Sequence, residues 1–270
     1  MIGIFAATDM EVSGLRRRLA VAESVREQGC RIERGRHGDL EVLLVQFGMG
    51  RERAEVAAKV VLPRYPLSAV FSLGFAGALV PGLGVGDIVR CLAVRRDEAG
   101  AEAGGEPLDC DPKLLSLAAT VPSGRFSVGK GVGVTSDTFV SSPEAKRALA
   151  ARMNAIAVDM ESYWIARRAS NIGVPFLSVR AISDALTKRL PPVERFMDAD
   201  GQWRRHSAAS YCLARPQHIV GLLLFGHGII RARRSLTDYA DGLLARLAAQ
   251  GVDSGSHIHR ARARVTGHAG

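Results

Sequence analysis

Three carboxylates stand where short apolar runs give way to polar residues. Glu11 follows the opening run from Ile2 to Ala7, Glu161 follows Ile156 to Val158, and Asp184 ends the run from Val174 to Ile182. An acid at the end of a core strand is well placed to give or take a proton, because strand-end loops assemble the sites of α/β sheets. Apolar surroundings favour the protonated form that a proton donor needs. A carboxylate can also accept from two adjacent hydroxyls and offset positive charge that develops nearby. Each residue has a plainer reading as well. Asp184 could cap a following helix, and Glu161 could stabilise a helix N-terminus as a first-turn acid. Phe139, in Thr135-Ser-Asp-Thr-Phe139-Val140, suits stacking on a flat ring and equally suits a core. Arg51 and Arg53, after Gly48-Met-Gly50, could hold an anion or lie solvated on a helix.

Other patterns carry less. Gly124 to Lys130 fits GxxxxGK, but Gly131 stands where a phosphate loop needs Ser or Thr. Gly82, Gly84 and Gly86 suit a turn between strands. Asp198-Ala-Asp200-Gly201 opens like a calcium loop and lacks the later ligands. His257 and His259 fall in a polar tail, and neither HExxH nor a Cys/His spacing occurs, so no metal is expected.

The elements that must position these residues follow from periodicity. Ile2 to Ala7 reads as a buried strand, with Asp9 capping a helix that runs to about Leu19. Leu40 to Phe47, Ala69 to Leu73, Gly86 to Val94, Ser127 to Val134, Ile156 to Val158 and Val174 to Ile182 read as further strands. Arg51 to Leu62 and Met160 to Asn171 read as helices, and Gly74-Phe-Ala-Gly77 as a loop. Strands alternating with helices predict an α/β fold over residues 1–185: a single domain with a mixed, largely parallel central sheet flanked by helices. Residues 186–207 are a polar, proline-containing insertion, followed by apolar helical stretches at about 207–231 and 234–249. Residues 186–250 are expected to pack on the core as an insertion and helical C-terminal extension, and 251–270 to be a disordered tail.

The chain has 270 residues, 47% of them hydrophobic, enough for one sizeable α/β core. Its net charge of +9 admits nucleic acid, anionic lipid or an anionic substrate as partner. Aromatics are only 6%, and zinc-finger and helix-turn-helix spacings are absent, which weighs against nucleic acid. Cys30, Cys91, Cys110 and Cys212 are scattered without a CxxC, as expected of reduced thiols. The opening residues lack a basic segment, and no apolar run reaches the ~20 residues of a spanning helix. The expected location is cytoplasmic.

Four segments, in order, carry a family resemblance. Ile2-Gly-Ile-Phe-Ala-Ala-Thr-Asp-Met-Glu11-Val resembles the opening of methylthioadenosine/S-adenosylhomocysteine nucleosidases. Leu73-Gly-Phe-Ala-Gly77 with Val85-Gly-Asp87-Ile-Val89 resembles that superfamily's glycine turn and next strand. Ala157-Val-Asp-Met160-Glu161-Ser and Val179-Arg-Ala-Ile-Ser183-Asp184 resemble its two strongest signatures. The chain is thereby similar to the purine nucleoside phosphorylase/nucleosidase superfamily. Its insertion and extension look most like the hopanoid-associated phosphorylases, which are implicated in removing adenine from adenosylhopane.

The resemblance implies an enzyme that breaks the N-glycosidic bond of a purine nucleoside with a hydrophobic 5′ group. Asp184 would protonate the leaving base. Glu161 would accept from both ribose hydroxyls over Met160, Phe139 would stack on the base, and main chain near Val140 would read its edge. Gly74, Ala76 and Gly77 would border the substrate. Glu11 stands where the nucleosidases keep the carboxylate that activates water. Phosphorylases bring phosphate instead, and their arginine and serine are missing here, with Ser72 and Phe75 in those places; Arg51 and Arg53 could substitute. No cofactor is implied beyond phosphate as a possible co-substrate, and a homo-oligomer is expected. The apolar stretch Ile219 to Ile230, followed by Arg231, Arg233 and Arg234, suits either the inner membrane surface or a core or subunit interface. The alternatives are an ordinary methylthioadenosine/S-adenosylhomocysteine-type nucleosidase, or a membrane-surface or nucleic-acid-binding protein on an inactive nucleosidase fold.

Overall fold

The opening run forms strand β1 (Ile2–Ala6), buried at every residue, as a strand covered on both faces must be. In the computed structural model, which describes residues 1–98, 106–190 and 219–250, β1 lies parallel to β4 (Leu40–Gln46) on one side and to β5 (Ala69–Ala78) on the other. Beyond β4 the sheet continues antiparallel through β3 (Cys30–His37) to the edge strand β2 (Ala20–Glu27). This hairpin carries little sequence signal, because β2 is exposed along most of its length and lacks apolar alternation.

The other side of the sheet closes on itself. Strand β5 pairs in parallel with β10 (Phe176–Asp184), which pairs antiparallel with β6 (Ile88–Arg96). Parallel pairings join β6 to β8 (Val128–Thr135) and β8 to β9 (Ala157–Asp159), and β9 returns antiparallel to Gly77 and Ala78 of β5. A two-residue strand, β7 (Leu108–Asp109), borders β6. The result is a five-stranded ring whose wall runs out through β1 into an open sheet. The single α/β domain with a mixed sheet expected from the sequence is what forms.

One expectation fails at the point that matters most. Gly74 to Gly77, which its glycines predict to be a loop, is strand, because β10 pairs along one edge and β9 takes the end of the other. Gly74 is needed there for closeness: a Cβ would come within 2.7 Å of Glu11 Oε1 and 2.9 Å of Arg180 Nη1.

Helices α1 (Asp9–Arg16), α2 (Arg51–Val61) and α5 (Ser162–Asn171) lie close to the predicted spans, though α1 stops a turn short of Leu19. Helices α3 (Pro112–Ala119) and α4 (Pro143–Met153) are additions to the predicted set. Both carry a legible start signal, a capping Asp111 or Ser142 followed by proline at the first helical position.

The C-terminal helix α6 (Ile219–Ala249) is one continuous rod, where the sequence reads two helical stretches that part at about 231–234. Leu236, Tyr239, Leu243 and Leu247 bury its second half against α1, α3 and β10, and the Tyr239 hydroxyl donates to the Ala118 carbonyl at 2.7 Å. Arg18 pairs with Asp238 and Asp241, and His37 with Asp241 at 2.8 Å, tying the helix to α1 and β3. Two of its glycines have different jobs. At Gly228 a Cβ would lie 2.7 Å from the Ser183 carbonyl oxygen, whereas at Gly226 nothing lies within 4 Å. Among the described residues no helix is long and apolar enough to cross a membrane. Most of the insertion (191–218, including the first part of the 207–231 stretch) and the tail (251–270) lie outside the described residues.

Close approach at Gly228 and open space at Gly226 predict opposite responses to alanine. Gly226→Ala should raise stability by up to about 1 kcal/mol through helix propensity. Gly228→Ala should lower it by about 1–3 kcal/mol through overpacking against backbone. Urea unfolding of the two variants reads both signs, and equal responses would contradict the packing described.

Candidate active site

Parallel strands β1, β5 and β10 end on one side of the sheet, the usual place for a ligand crevice in α/β proteins. A cavity of about 350 Å³ opens there, with β9 contributing its end and α6 forming part of the wall. Behind its wall stands Arg180 of β10, buried to 3% exposure. Its Nε donates to Asp159 Oδ2 at 2.6 Å and its Nη2 to the Ser72 hydroxyl. Asp159 Oδ1 also accepts from the Thr135 hydroxyl at 2.7 Å and from the main-chain nitrogens of Glu161 and Ser162 at 3.2 Å each. Burial pushes the Asp159 carboxyl up, but Arg180 and the hydroxyls of Ser162 and Thr135 outweigh it and hold it below the ordinary range.

Glu11 reaches the cavity from the first turn of α1. Its Oε2 accepts from the Thr8 main chain at 2.7 Å and the Thr8 hydroxyl at 3.1 Å, the arrangement of a capping box. Its Oε1 accepts from the Phe75 nitrogen at 2.8 Å on β5. Burial raises the Glu11 carboxyl; the donors on Phe75 and Thr8 and the charge of Arg180 partly offset this. Glu161 precedes the first turn of α5 as its N-cap and accepts from the Gly50 nitrogen at 2.7 Å. Its side chain makes no capping hydrogen bond to α5, so the reading as a first-turn acid gives way to a contact with the Gly50 loop. Part of its surface opens to the cavity, yet dense surroundings and the neighbouring Asp159 and Glu11 carboxylates push it up to about 8.

Asp184 is the last residue of β10. Its Oδ1 accepts from the Ser183 hydroxyl at 2.6 Å, and its Oδ2 is ion-paired with the ammonium of Lys146, which has no solvent exposure. The expectation of simply apolar surroundings needs correcting here, because a buried lysine stands against the carboxylate. Helical spacing sets Lys146 on the same face as the buried Pro143, Leu149 and Met153, a signal that its charge masks in the sequence.

Of the other expected residues, Met160, Phe139, Val140, Ala76 and Gly77 line the cavity with the three acids, and Gly74 stands behind Glu11. Arg51 and Arg53 do not line it. The Arg51 guanidinium lies 4.2 Å from the centre of the Trp164 ring and pairs with Glu55 at 3.4 Å. Arg53 lies over Gly29 at the β2–β3 turn, where a Cβ would come within 2.3 Å of its Nη1. Residues beyond the sequence expectation are Arg180, Asp159 and Lys146 and an apolar group in which Leu190, Phe225 and Ile229 pack with Met10, Phe75 and Phe139. A smaller apolar recess of about 170 Å³ continues past Met10 and Ile229 to Ile230 and Arg233. Among the described residues no three His, Cys, Asp or Glu side chains group as metal ligands.

Fold and site together define an α/β protein with a carboxylate-rich ligand cavity at its strand ends. Residues 1–213 match the family described as the phosphorylase superfamily, and the chain belongs to it. Solved structures share the fold. The 5′-methylthioadenosine/S-adenosylhomocysteine nucleosidase of Neisseria meningitidis, in complex with methylthio-immucillin-A, is similar with a TM-score of 0.72 at 20% identity, over 90% of this chain and 97% of that one. The futalosine hydrolase of Helicobacter pylori is similar with a TM-score of 0.71 at 19% identity, over 90% and 97%. The S-adenosylhomocysteine nucleosidase of Streptococcus pyogenes is similar with a TM-score of 0.71 at 24% identity, over 91% and 96%.

The raised Glu161 makes folding take up a proton between its ordinary value of 4.5 and about 8. Its favourable contribution is full below the lower value and is lost as pH rises to the upper one. Glu161→Gln keeps an acceptor for Gly50 and removes this dependence. The melting temperature of Glu161→Gln minus that of wild type should climb by several degrees across this range and then level off. A pH-independent difference would show that Glu161 is not held protonated.

Proposed function

We propose that the protein hydrolyses the N-glycosidic bond of an adenine nucleoside that carries a hydrophobic 5′ group. The observation that carries this reading is the convergence of Glu11, Glu161 and Asp184, from α1, the start of α5 and the end of β10, on one cavity. Breaking a ribosyl–purine bond sends electrons into the base while positive charge grows on the sugar. Protonation of N7 by Asp184 makes the base a good leaving group. Glu161 accepts from the ribose hydroxyls, and the positive charge developing on the sugar favours its ionised form, so its stabilisation grows as the bond breaks. Glu11, raised by burial, is suited to take a proton from the attacking water. Phe139 stacks on the base.

Water is favoured over phosphate by charge. Four carboxylates line the cavity (Glu11, Asp159, Glu161, Asp184) and, among the described residues, no lysine or arginine does. A phosphate dianion would find no cation among these lining residues to hold it. The hydrophobic 5′ group is favoured by the Leu190, Phe225 and Ile229 wall and the recess beyond it. Adenosylhopane, named through the resemblance to hopanoid-associated phosphorylases, is the substrate this reading puts first. Contact with a membrane surface would occur at the recess mouth, where Ile230 is 43% exposed and Arg231, Arg233 and Arg234 follow.

Adenosine analogues of increasing 5′ lipophilicity, incubated with and without phosphate, test the reaction. The expected products are adenine and the free sugar, independent of phosphate, with kcat/KM rising along the series. Ribose 1-phosphate formed only when phosphate is present would overturn hydrolysis. Asp184→Asn and Glu11→Gln should each lower kcat by about 10²–10⁴-fold, Asp184→Asn with lower stability as well, because it leaves the buried Lys146 ammonium without its carboxylate. An Asp184→Asn enzyme within about threefold of wild type would remove Asp184 from the acid role. Flotation with anionic liposomes at low salt reads surface contact; protein left in the soluble fraction contradicts it.

A further inference from the structure

Lys146 has no solvent exposure, and its ammonium makes three contacts. It is ion-paired with Asp184 Oδ2 and donates to the carbonyl oxygens of Ala185 at 2.9 Å and Lys188 at 3.4 Å. These acceptors match the three donors of an ammonium. Its side chain runs behind Gly77, where an added Cβ would lie 3.5 Å from Cε. Asp184 and Gly77 line the cavity and Lys146 does not. Whatever the lysine does for a bound molecule therefore passes through Asp184.

Taking an ammonium and a carboxylate out of water costs more than filling the same space with an apolar side chain. A fold that needed only volume behind Gly77 would be served as well by methionine. The pair also has a property that neither member has alone. It places a buried ammonium directly against the carboxylate that reaches the cavity.

We propose, resting on the hydrolytic reading above, that Lys146 and Asp184 form one proton-donating unit. The ammonium is the reservoir, and the carboxylate hands the proton to the departing base. As the bond from C1′ to N9 breaks, its electron pair enters the purine ring. A Lys146 N–H bond breaks as an Asp184 O–H bond forms, and that O–H bond breaks as N7–H forms. Water bonds to C1′ and gives its proton to Glu11. The pair is left as amine and carboxylate, and regains through solvent the proton that Glu11 releases. Lys146 is thus a positioning residue that acts through Asp184. Lysine suits this role where arginine does not, since a guanidinium keeps its protons.

Methylation of the nucleoside at N7 supplies the positive charge on the base in advance, so the methylated base departs without accepting a proton. Wild type, Lys146→Met and Lys146→Arg are compared on a 5′-alkylthioadenosine and on its N7-methylated form. Both variants should lose about 10²-fold or more in kcat on the unmodified nucleoside. On the methylated one both should stay within about threefold of wild type. In an Asp184→Asn background, Lys146→Met should cause no further loss; this double variant buries no charge, and circular dichroism checks its folding. Equal losses on both nucleosides, or full activity of Lys146→Arg on the unmodified one, would overturn the proposal. A wild type that releases base from neither nucleoside overturns the functional reading itself.

Discussion

Arg180 lies at the middle of β10, and its guanidinium holds Asp159 on β9 and Ser72 on β5. A guanidinium taken this far out of water must be paired and hydrogen-bonded, because an uncompensated buried charge is strongly destabilising. Its demands run outward through the structure. Asp159 must lie where β9 meets β8 and β5, which fixes Thr135 and the first turn of α5 as further partners. Gly74 must lack a side chain so that Glu11 and Arg180 can come close across β5. Glu161 is held beside Asp159 by the same turn, and the crowding of carboxylates raises it.

Positive and negative charge are thereby sorted by depth. The carboxylates face the cavity, and the cations that balance them, Arg180 and Lys146, stand behind its wall. Such a surface suits a ligand on which positive charge develops. The two cations serve different ends of the cavity. Arg180 anchors the group of Glu11, Asp159 and Glu161, while Lys146 stands with Asp184 at the strand end.

The ring of β5, β10, β6, β8 and β9 gives this arrangement its rigidity, and α6 closes it on the apolar side. Helix α6 can come so near β10 only because Gly228 has no side chain opposite the Ser183 carbonyl. Phe225 and Ile229, on either side of that contact, are thereby brought into the cavity wall. The apolar character of this stretch is accounted for at these two positions by packing, with Ile230 left exposed at the mouth.

Much was legible in the chain by itself. Short apolar runs alternating with helical spacing are local signals, and they mark the class of the domain and many of its elements, though β5 runs on past Leu73 to Ala78 and β2, β3, β7, α3 and α4 carry no such mark. Glu11, Glu161 and Asp184 could be singled out because each sits at the end of such a run, beside a motif resembling those of one superfamily. What the chain could not reveal depends on contacts between distant residues. The closing of five strands into a ring, the passage of β5 through Gly74 to Gly77, and the placing of Arg51 and Arg53 outside the cavity lining all follow from neighbours supplied by other parts of the fold. Lys146 is the clearest case. In sequence it is one charge among several on a short helix, and only its burial against Asp184, 38 residues on, makes it a partner of the site. Pattern and spacing thus determined which residues lie at strand ends, while tertiary packing decided which charges share a low-dielectric space, because electrostatic coupling depends on distance and burial rather than on order along the chain.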